Sequence, residues 1–444
     1  MNLVEIAKRY EQDFIKDTQG LLQIDSTLIE QPKNSKHPFG EGIYRSLEYM
    51  LKLGASFGFK TKEVDHIAGH IEFGEGEEII GVLVHVDVVP AVGDWLYPPF
   101  SGTVADGKIY ARGALDDKGP AVCALYAFKL LKDLGFKPNK RLRLIIGTDE
   151  ETSWRGIKRY FEKEEMPLFG FSPDANFPLI YGEKGIMSLD LLGAGDPKLF
   201  FKAGVRYNVV PDYAEAKIDQ DVSEAFHAFL LEHNLKGQAK EILSLYGKSA
   251  HAMEPDAGIN AAIKLSQFLQ KYSSNQALNF IAGQLKDSRF KTMGLDFQDP
   301  EMKDLTVNVA IVEINKEETK IGLNLRYPIN WHKEAFLQIF SQKAAAFGLK
   351  VLVKQDQIPH YVDKNDPLIK TIYQAYVRNT GDAKTPMMTI GGGTYARALK
   401  KGVAFGPEFP HRENVVHQPN EYLIIEDAIK AMAIYADALR ELSK

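Results

Sequence analysis

The sequence predicts an α/β fold interrupted by an inserted α+β domain. Two apolar segments rich in β-branched residues, 79–84 and 141–148, are typical of strands buried on both faces of a sheet. A middle segment, 186–357, pairs strands with helices twice over, which is typical of a separate α+β domain. With 444 residues, the chain is too long for one compact core. We therefore expect a main domain from 1–185 and 358–444, with 186–357 inserted.

The composition is that of an ordinary globular protein, with 45% hydrophobic and 25% charged residues. A net charge of −5 gives no reason to expect nucleic acid or an anionic membrane as partner. The single cysteine, Cys123, excludes an intramolecular disulfide and a zinc–thiolate cage. No apolar run is long enough to span a bilayer, and the first ten residues form an amphipathic pattern unlike a signal peptide. We therefore expect a cytoplasmic protein.

Two polar residues, His85 and Asp87, follow the predicted strand at 79–84. Side chains two apart on a strand point to the same face, so these two can lie side by side. Ligand sites in open α/β sheets gather at the carboxyl ends of strands. The pair suits a metal-binding imidazole whose second nitrogen is held by a carboxylate. Taken alone, a chance His-x-Asp explains it equally well.

Acidic residues recur at later strand and helix boundaries. Asp116 and Asp117 precede a predicted helix at 120–134, where simple capping is the alternative explanation. The strand at 141–148 ends in Asp149–Glu151, and Asp174 follows a further apolar segment. Three successive strands that end in acids or histidine make a merely solvated acidic turn a poor explanation.

Three further expectations concern single segments of the chain. Residues 90–113 form a long irregular stretch, which is usually functional in a compact domain. In the inserted domain we expect a strand at 208–218 and a helix at 278–285.

The polar residues together predict a metal centre. Two imidazoles and three carboxylates without a thiolate suit two divalent ions of the zinc, manganese or cobalt kind. One carboxylate can bridge such ions, which hold a water and lower its pKa. Glu150 is then free to act as general base. The candidate ligands, whose spacing forms no short motif, are His85, Asp116, Glu151, Asp174 and His417.

Five segments resemble the aminoacylase/carnosinase family of dinuclear metallopeptidases, and within it the bacterial Xaa-His dipeptidases called peptidase V. The likeness covers nearly the whole chain, and the segments occur in the family's order. The resemblance implies a mixed-sheet α/β/α metal-binding domain with the inserted domain as its lid. The segments are His85–Asp87, Gly113–Gly119, Asp149–Glu151, Asp174 and His417–Glu421.

The resemblance also implies roles for single residues. Asp116 would bridge two metal ions, with the Asp116–Asp117 peptide bond cis. Asp87 would orient His85, and Glu150 would be the general base. The terminal metal ligands would be His85, Glu151, Asp174 and His417.

In the lid, the resemblance implies substrate contacts. His251 would support the oxyanion, while Asn208 and Arg326 would bind polar ends of the substrate. The loop Gly391, Gly392, Gly393 and Thr394 would cradle the substrate backbone. As a phosphate loop it fails, because it lacks the Lys-Ser/Thr pair and a strand-to-helix frame.

We therefore expect a two-domain metallohydrolase that cleaves a small dipeptide with a free N-terminus. Two divalent ions per chain are implied, with zinc first and manganese or cobalt as alternatives. An N-acyl amino-acid deacylase or desuccinylase of the same family is the alternative function. A binding protein that lost catalysis is a second alternative, against which the intact Glu150 argues.

The size of the insert predicts a monomer. A four-stranded α+β unit needs only about 100 residues, fewer than the segment 186–357 provides. Two such units in one chain would replace the lid that many relatives borrow from a second copy.

Overall fold

The fold is that of a computed structural model, in which residues 2–32 and 34–444 are described. The chain divides into two compact units. The first unit comprises Met1–Tyr181, Val362–Met388 and Thr394–Lys444, and the second comprises Gly182–Tyr361 and Thr389–Gly393.

The helices lie in both units, and within the described residues none is long and apolar enough to cross a membrane. They are α1 (Leu3–Ala7), α2 (Glu11–Leu22), α3 (Glu41–Ser56), α4 (Lys118–Asp133), α5 (Arg155–Lys163), α6 (Ser223–Glu232), α7 (Ala261–Leu269), α8 (Gln276–Asn279), α9 (Lys333–Ala345), α10 (Pro367–Thr380) and α11 (Ile425–Leu442). The expected helix at 278–285 is instead the short α8 followed by a π-helical turn, Phe280–Gln284.

The strands are β1 (Lys60–Val64), β2 (Ala68–Phe73), β3 (Ile79–His85), β4 (Thr103–Ala105), β5 (Lys108–Tyr110), β6 (Arg141–Gly147), β7 (Phe169–Ser172), β8 (Ala175–Asn176), β9 (Ile180–Glu183), β10 (Gly185–Ala194), β11 (Leu199–Ala203), β12 (Tyr213–Ile218), β13 (Lys236–Ala239), β14 (Leu243–Tyr246), β15 (Gln298–Asp299), β16 (Lys303–Asp304), β17 (Thr306–Ile314), β18 (Glu318–Tyr327), β19 (Lys350–Gln357), β20 (His360–Tyr361), β21 (Met388–Ile390), β22 (Gly402–Ala404), β23 (Pro407–Glu408) and β24 (Tyr422–Ile424).

A mixed sheet forms the centre of the first unit, in the order β1-β2-β6-β3-β7-β22-β9. Strand β3 lies between β6 and β7 and is parallel to both, while β1 and β2 are antiparallel. Every residue of β3 is buried, as the uninterrupted apolar segment predicts. The carboxyl ends of β3, β6 and β7 therefore meet at one edge of the sheet.

Helices cover both faces of this sheet, which confirms the α/β/α prediction. On one face, Gly54 of α3 lies so close to Ile71 that an added Cβ would approach its side chain to 2.6 Å. On the other face, Tyr160 of α5 is 2.8 Å from Nδ1 of His70. Because His70 and Ile71 are adjacent on β2, their side chains point to opposite faces.

The expected irregular stretch at 90–113 contains two short strands. Strand β5 pairs with β4 and also with β24, from the far end of the chain. Only the pairing with β24 joins segments distant in sequence and leaves no local signal. Strands β4 and β5 form a hairpin around Asp106-Gly107, both with positive φ, and this local turn pattern was missed in the sequence.

The second unit contains one antiparallel sheet of eight strands, in the order β13-β14-β12-β11-β17-β18-β10-β19. Its inner face packs against helices α6 to α9 in one continuous apolar core. The sheet has two four-stranded halves, which join where β11 pairs with β17 at Phe201↔Ile314.

Several details differ from the expected insert. The two predicted α+β units share one sheet and one core. The unit boundaries fall at 182 and 361 instead of 186 and 357, and the glycine loop at 389–393 belongs to the second unit. The strand expected at 208–218 begins only at Tyr213, because Pro211 has no N–H to donate to a neighbouring strand.

Candidate metal centre

His85 ends β3 inside the first unit, and its side chain is fully buried. Its Nδ1 lies 3.1 Å from the main-chain carbonyl oxygen of Asp87 and 3.6 Å from the carboxylate Oδ1 of the same residue. The backbone carbonyl is therefore the nearer group that orients the imidazole. The Asp87 carboxylate also accepts a 3.2 Å hydrogen bond from the backbone N–H of Glu151.

Asp116 lies between two histidines. Its Oδ1 is 3.0 Å from Nε2 of His85, and its Oδ2 is 2.9 Å from Nε2 of His417. The Asp116–Asp117 peptide bond is cis, as the resemblance implies. Each oxygen of this one carboxylate thus faces a different imidazole, which is the arrangement that a bridging ligand requires.

The remaining two candidate ligands complete a pair of triads. Asp174 Oδ2 is 3.9 Å from Nε2 of His85, and Glu151 Oε1 is 3.0 Å from Nε2 of His417. In each triad the possible ligand atoms lie within 4.8 Å of one another. The structure therefore brings all five predicted ligands together in two groups that share Asp116.

The donor set fits two divalent cations. Each triad offers one imidazole and two carboxylates, a combination that suits zinc, manganese or cobalt. Nε2 of His85 is buried and makes no well-directed hydrogen bond, although Oδ1 of Asp116 is only 3.0 Å away. A cation accounts for an unsatisfied buried nitrogen that points at carboxylate oxygens.

The carboxyl groups in this cluster repel one another. Burial, reinforced by the Asp116 charge, raises the pKa of Glu151 and raises that of Asp174 far above its ordinary value. Burial also opposes ionisation of Asp116, but His417 and His85 hold its pKa below the ordinary value. Positive charge placed among these groups would relieve the repulsion.

The pKa values of the two histidines are also raised, but for an imidazole this favours the charged form. Burial lowers the pKa of His417, but the carboxylates of Asp116 and Glu151 outweigh it and raise the pKa to about 10. Burial likewise opposes the charged form of His85, while Asp116 and Asp87 raise its pKa well above the ordinary value. With its pKa of about 10, His417 is a charged imidazolium at neutral pH in the chain alone.

Glu150 belongs to neither triad. Burial raises its pKa to about 8; the His85 charge lowers it, while Glu151, Asp116 and Asp87 raise it further. It follows Asp149, whose backbone is left-handed at φ 65° and whose carboxylate binds the Arg155 side chain at 2.7 Å. A partly buried carboxyl group beside the metal ligands, with a pKa close to neutrality, is typical of an acid/base catalyst.

The sequence analysis gave no role to three charged residues beside the centre. Asp117 accepts a 3.1 Å hydrogen bond from the backbone N–H of His85. Arg112 and Glu421 form a fully buried ion pair at 2.6 Å. Asp117 and Glu421 lie within the segments Gly113–Gly119 and His417–Glu421, and Arg112 directly precedes the first of these, but nothing in the sequence indicated the contacts they make.

Two of the predicted lid residues are neighbours in the second unit. Val209 and His251 form an isolated antiparallel bridge, and the Asn208 carbonyl accepts a 2.9 Å hydrogen bond from Ala252. Nδ1 of His251 accepts a 3.2 Å hydrogen bond from the backbone N–H of Met253. This bond fixes the tautomer, so that a neutral His251 carries its proton on Nε2.

Arg326 and the glycine loop also meet in the second unit. Arg326 is buried, and its Nη1 donates to the Gly391 carbonyl at 3.0 Å. A Cβ added at Gly391 would lie 3.0 Å from Cβ of Met253, so the loop packs closely beside the His251 segment. Thr394 is instead part of the first unit, where its hydroxyl accepts from Ala396.

Metal binding should release protons, because a coordinated imidazole is neutral whereas His417 has a pKa of about 10 in the chain alone. Calorimetric titration with Zn²⁺ at pH 7 in buffers of different ionisation enthalpy should show at least one proton released per chain. Apparent affinity should rise about tenfold per pH unit for each displaced proton as the pH increases. Binding heats independent of the buffer would contradict this protonation state.

Comparison with known proteins agrees with the geometry. The family model described as Peptidase family M20/M25/M40 matches residues 81–441. A protein of Bacillus subtilis (strain 168), named "Putative dipeptidase YtjP", is 43% identical over 464 residues, covering 99% of each chain.

Two solved structures share the fold. Human carnosine dipeptidase 1 has a TM-score of 0.59 at 14% identity, covering 99% of this chain and 98% of its own. Aminoacylhistidine dipeptidase from Vibrio alginolyticus has a TM-score of 0.59 at 13% identity, with coverages of 97% and 96%. These findings confirm the resemblance drawn from the five motifs: the chain belongs to peptidase family M20/M25/M40 and is a hydrolase.

Proposed function

We propose that this peptidase is a dipeptidase whose two triads hold two divalent ions. Zinc is the preferred candidate, with manganese or cobalt as alternatives. The observation that carries the proposal is the Asp116 carboxylate, whose two oxygens face His85 and His417 at 3.0 and 2.9 Å. His85 and Asp174 would complete the protein ligands of one ion, and Glu151 and His417 would complete those of the other. The name of the Bacillus subtilis relative supports a dipeptide as substrate.

When bound, such a pair of ions acidifies a water molecule and polarises the substrate carbonyl. Glu150 takes the proton of the attacking water on its carboxylate and passes it to the leaving amine. Its pKa of about 8 in the chain alone falls when cations are near, which leaves it ionised before attack. Asp87, just after β3, holds the Glu151 backbone beside the centre through its 3.2 Å hydrogen bond.

In the second unit, we assign His251 to the oxyanion. The hydrogen bond from Met253 to Nδ1 places the proton of a neutral His251 on Nε2, the atom that would donate to the developing negative charge. Asn208 contributes a polar contact to the substrate, and the loop Gly391–Gly393 contacts its backbone. Arg326 binds the substrate carboxylate and holds this loop through Gly391.

Substitution of Glu150 by glutamine should lower kcat by about 10²- to 10⁴-fold, because the water keeps its place but loses its proton acceptor. This corresponds to about 3–5 kcal/mol of activation free energy. Steady-state kinetics and elemental analysis should show the loss of turnover with the metal content unchanged. Glu151→Gln is the matched control and should instead reduce metal occupancy. Near-normal turnover of Glu150→Gln would remove this residue from the mechanism.

Blocking the substrate's α-amine separates the dipeptidase from the deacylase alternative. Free dipeptides should be cleaved, whereas N-acetyl dipeptides should not. Amidation of the substrate carboxylate should reduce kcat/KM about 10- to 100-fold, through loss of a charged hydrogen bond to Arg326. In Arg326→Gln the acid and the amide should be cleaved at similar rates. Faster hydrolysis of N-acetyl or N-succinyl amino acids than of any dipeptide would establish the alternative function.

We also propose that the active form is a monomer. One chain supplies both four-stranded halves of the second unit's sheet, which supports the absence of a partner lid. Co-expression of Glu150→Gln with His251→Ala chains should give no activity at any ratio, and light scattering should give one chain's mass. Recovered activity would mean that His251 acts in trans. A cytoplasmic location stays a prediction from the sequence.

A further inference from the structure

The two histidines of the centre are held in different ways. His85 lies in a strand paired on both sides and is fully buried. His417 lies in an irregular segment, has a left-handed backbone at φ 62°, and leaves 48% of its side chain exposed. Secondary structure therefore fixes one imidazole, while the other depends on side-chain contacts.

The buried ion pair between Arg112 and Glu421 supplies such contacts. Nη1 of Arg112 is 2.6 Å from Oε2 of Glu421, and the two side chains are 1% and 0% exposed. Nη2 of Arg112 donates to the His417 carbonyl at 3.2 Å, and Nη1 reaches the Gln418 carbonyl at 3.4 Å. The guanidinium thus holds the backbone of the exposed histidine ligand directly.

The other oxygen of the same carboxylate reaches the bridging ligand. Oε1 of Glu421 accepts hydrogen bonds from the backbone N–H groups of Leu115 and Asp116, at 2.8 and 3.1 Å. One ion pair therefore connects the backbone of Asp116 with that of His417. Asp116 has additional support, because the next residue, Asp117, directly precedes helix α4 and accepts a hydrogen bond from the His85 backbone.

We propose that Arg112 and Glu421 are positioning residues, which set the affinity of the metal ion held by Asp116, Glu151 and His417. The inference rests on the proposed two-ion centre. Partners of metal ligands typically change metal affinity 10- to 100-fold when they are replaced. The ion held by His85 and Asp174 should be less affected, because strand β3 fixes His85 without help from this pair.

The test is a stepwise Zn²⁺ titration of the full-length protein after chelation, with a competing chelator as reporter. Wild type should bind two ions. Glu421→Gln should retain one ion with an affinity within about threefold of wild type and bind the other 10- to 100-fold more weakly. In a Glu151→Gln background, which already lacks one ligand of the second ion, Glu421→Gln should change the affinity of the remaining ion little.

Arg112→Lys keeps the pair of opposite charges but loses the planar fork, which holds several acceptors at once. It should fold and still weaken the second ion, which separates positioning from the burial of an unpaired charge. The matched control is Glu72→Gln in the same unit, where Glu72 pairs with Arg143 at 2.6 Å with 12% and 4% of the side chains exposed. This variant should lower the thermal midpoint and still bind two ions normally.

The outcomes distinguish this inference from the proposed function. Two ions bound with wild-type affinity by both Glu421→Gln and Arg112→Lys would overturn the positioning role. Equal weakening of both ions, or equal weakening by Glu72→Gln, would also overturn it in favour of a general structural role. Fewer than two ions in wild type would instead contradict the proposed two-ion centre. If Glu421→Gln does not fold, the titration of Arg112→Lys decides.

Discussion

Two imidazoles share one carboxylate at the centre of the first unit, and the rest of the site is arranged around that contact. Asp116 reaches His85 with one oxygen and His417 with the other. His85 comes from a central strand, and His417 from a segment more than 300 positions later in the chain. Each imidazole also lies near one further carboxylate, Asp174 or Glu151. The shared carboxylate is what makes the two triads a pair instead of two independent sites.

Such a cluster is costly in a chain without cations, because buried charges of one sign repel and lose hydration. The raised pKa values of Asp174 and Glu151 express that cost as a preference for the protonated form. The parallel arrangement of β3, β6 and β7 nevertheless brings their polar ends to one edge, because strands buried on both faces cannot hold them elsewhere. The function of the site thus explains a charge arrangement that folding alone would disfavour.

The sequence predicted the parts of this site that follow from local patterns. His85 ends an apolar strand and Glu151 lies in the turn that follows another, so the strand pattern alone placed them near the sheet edge. His417 has no such pattern, because its segment is irregular; the sequence offered it only as a second imidazole far downstream, and the family resemblance supplied its role. The roles of Asp117, Arg112 and Glu421 depend on contacts between distant segments, which a single sequence does not display. The continuous sheet of the second unit was missed for the same reason, since the pairing of β11 with β17 joins segments about a hundred residues apart.

Anomalous diffraction from zinc-loaded crystals shows directly whether the Asp116 carboxylate bridges two metal ions. Two peaks per chain are expected at the zinc absorption edge. One should contact His85 and Asp174, the other Glu151 and His417, and both should contact Asp116. A single peak at full occupancy, or two peaks of which one lies away from Asp116, would mean that Asp116 does not bridge two ions.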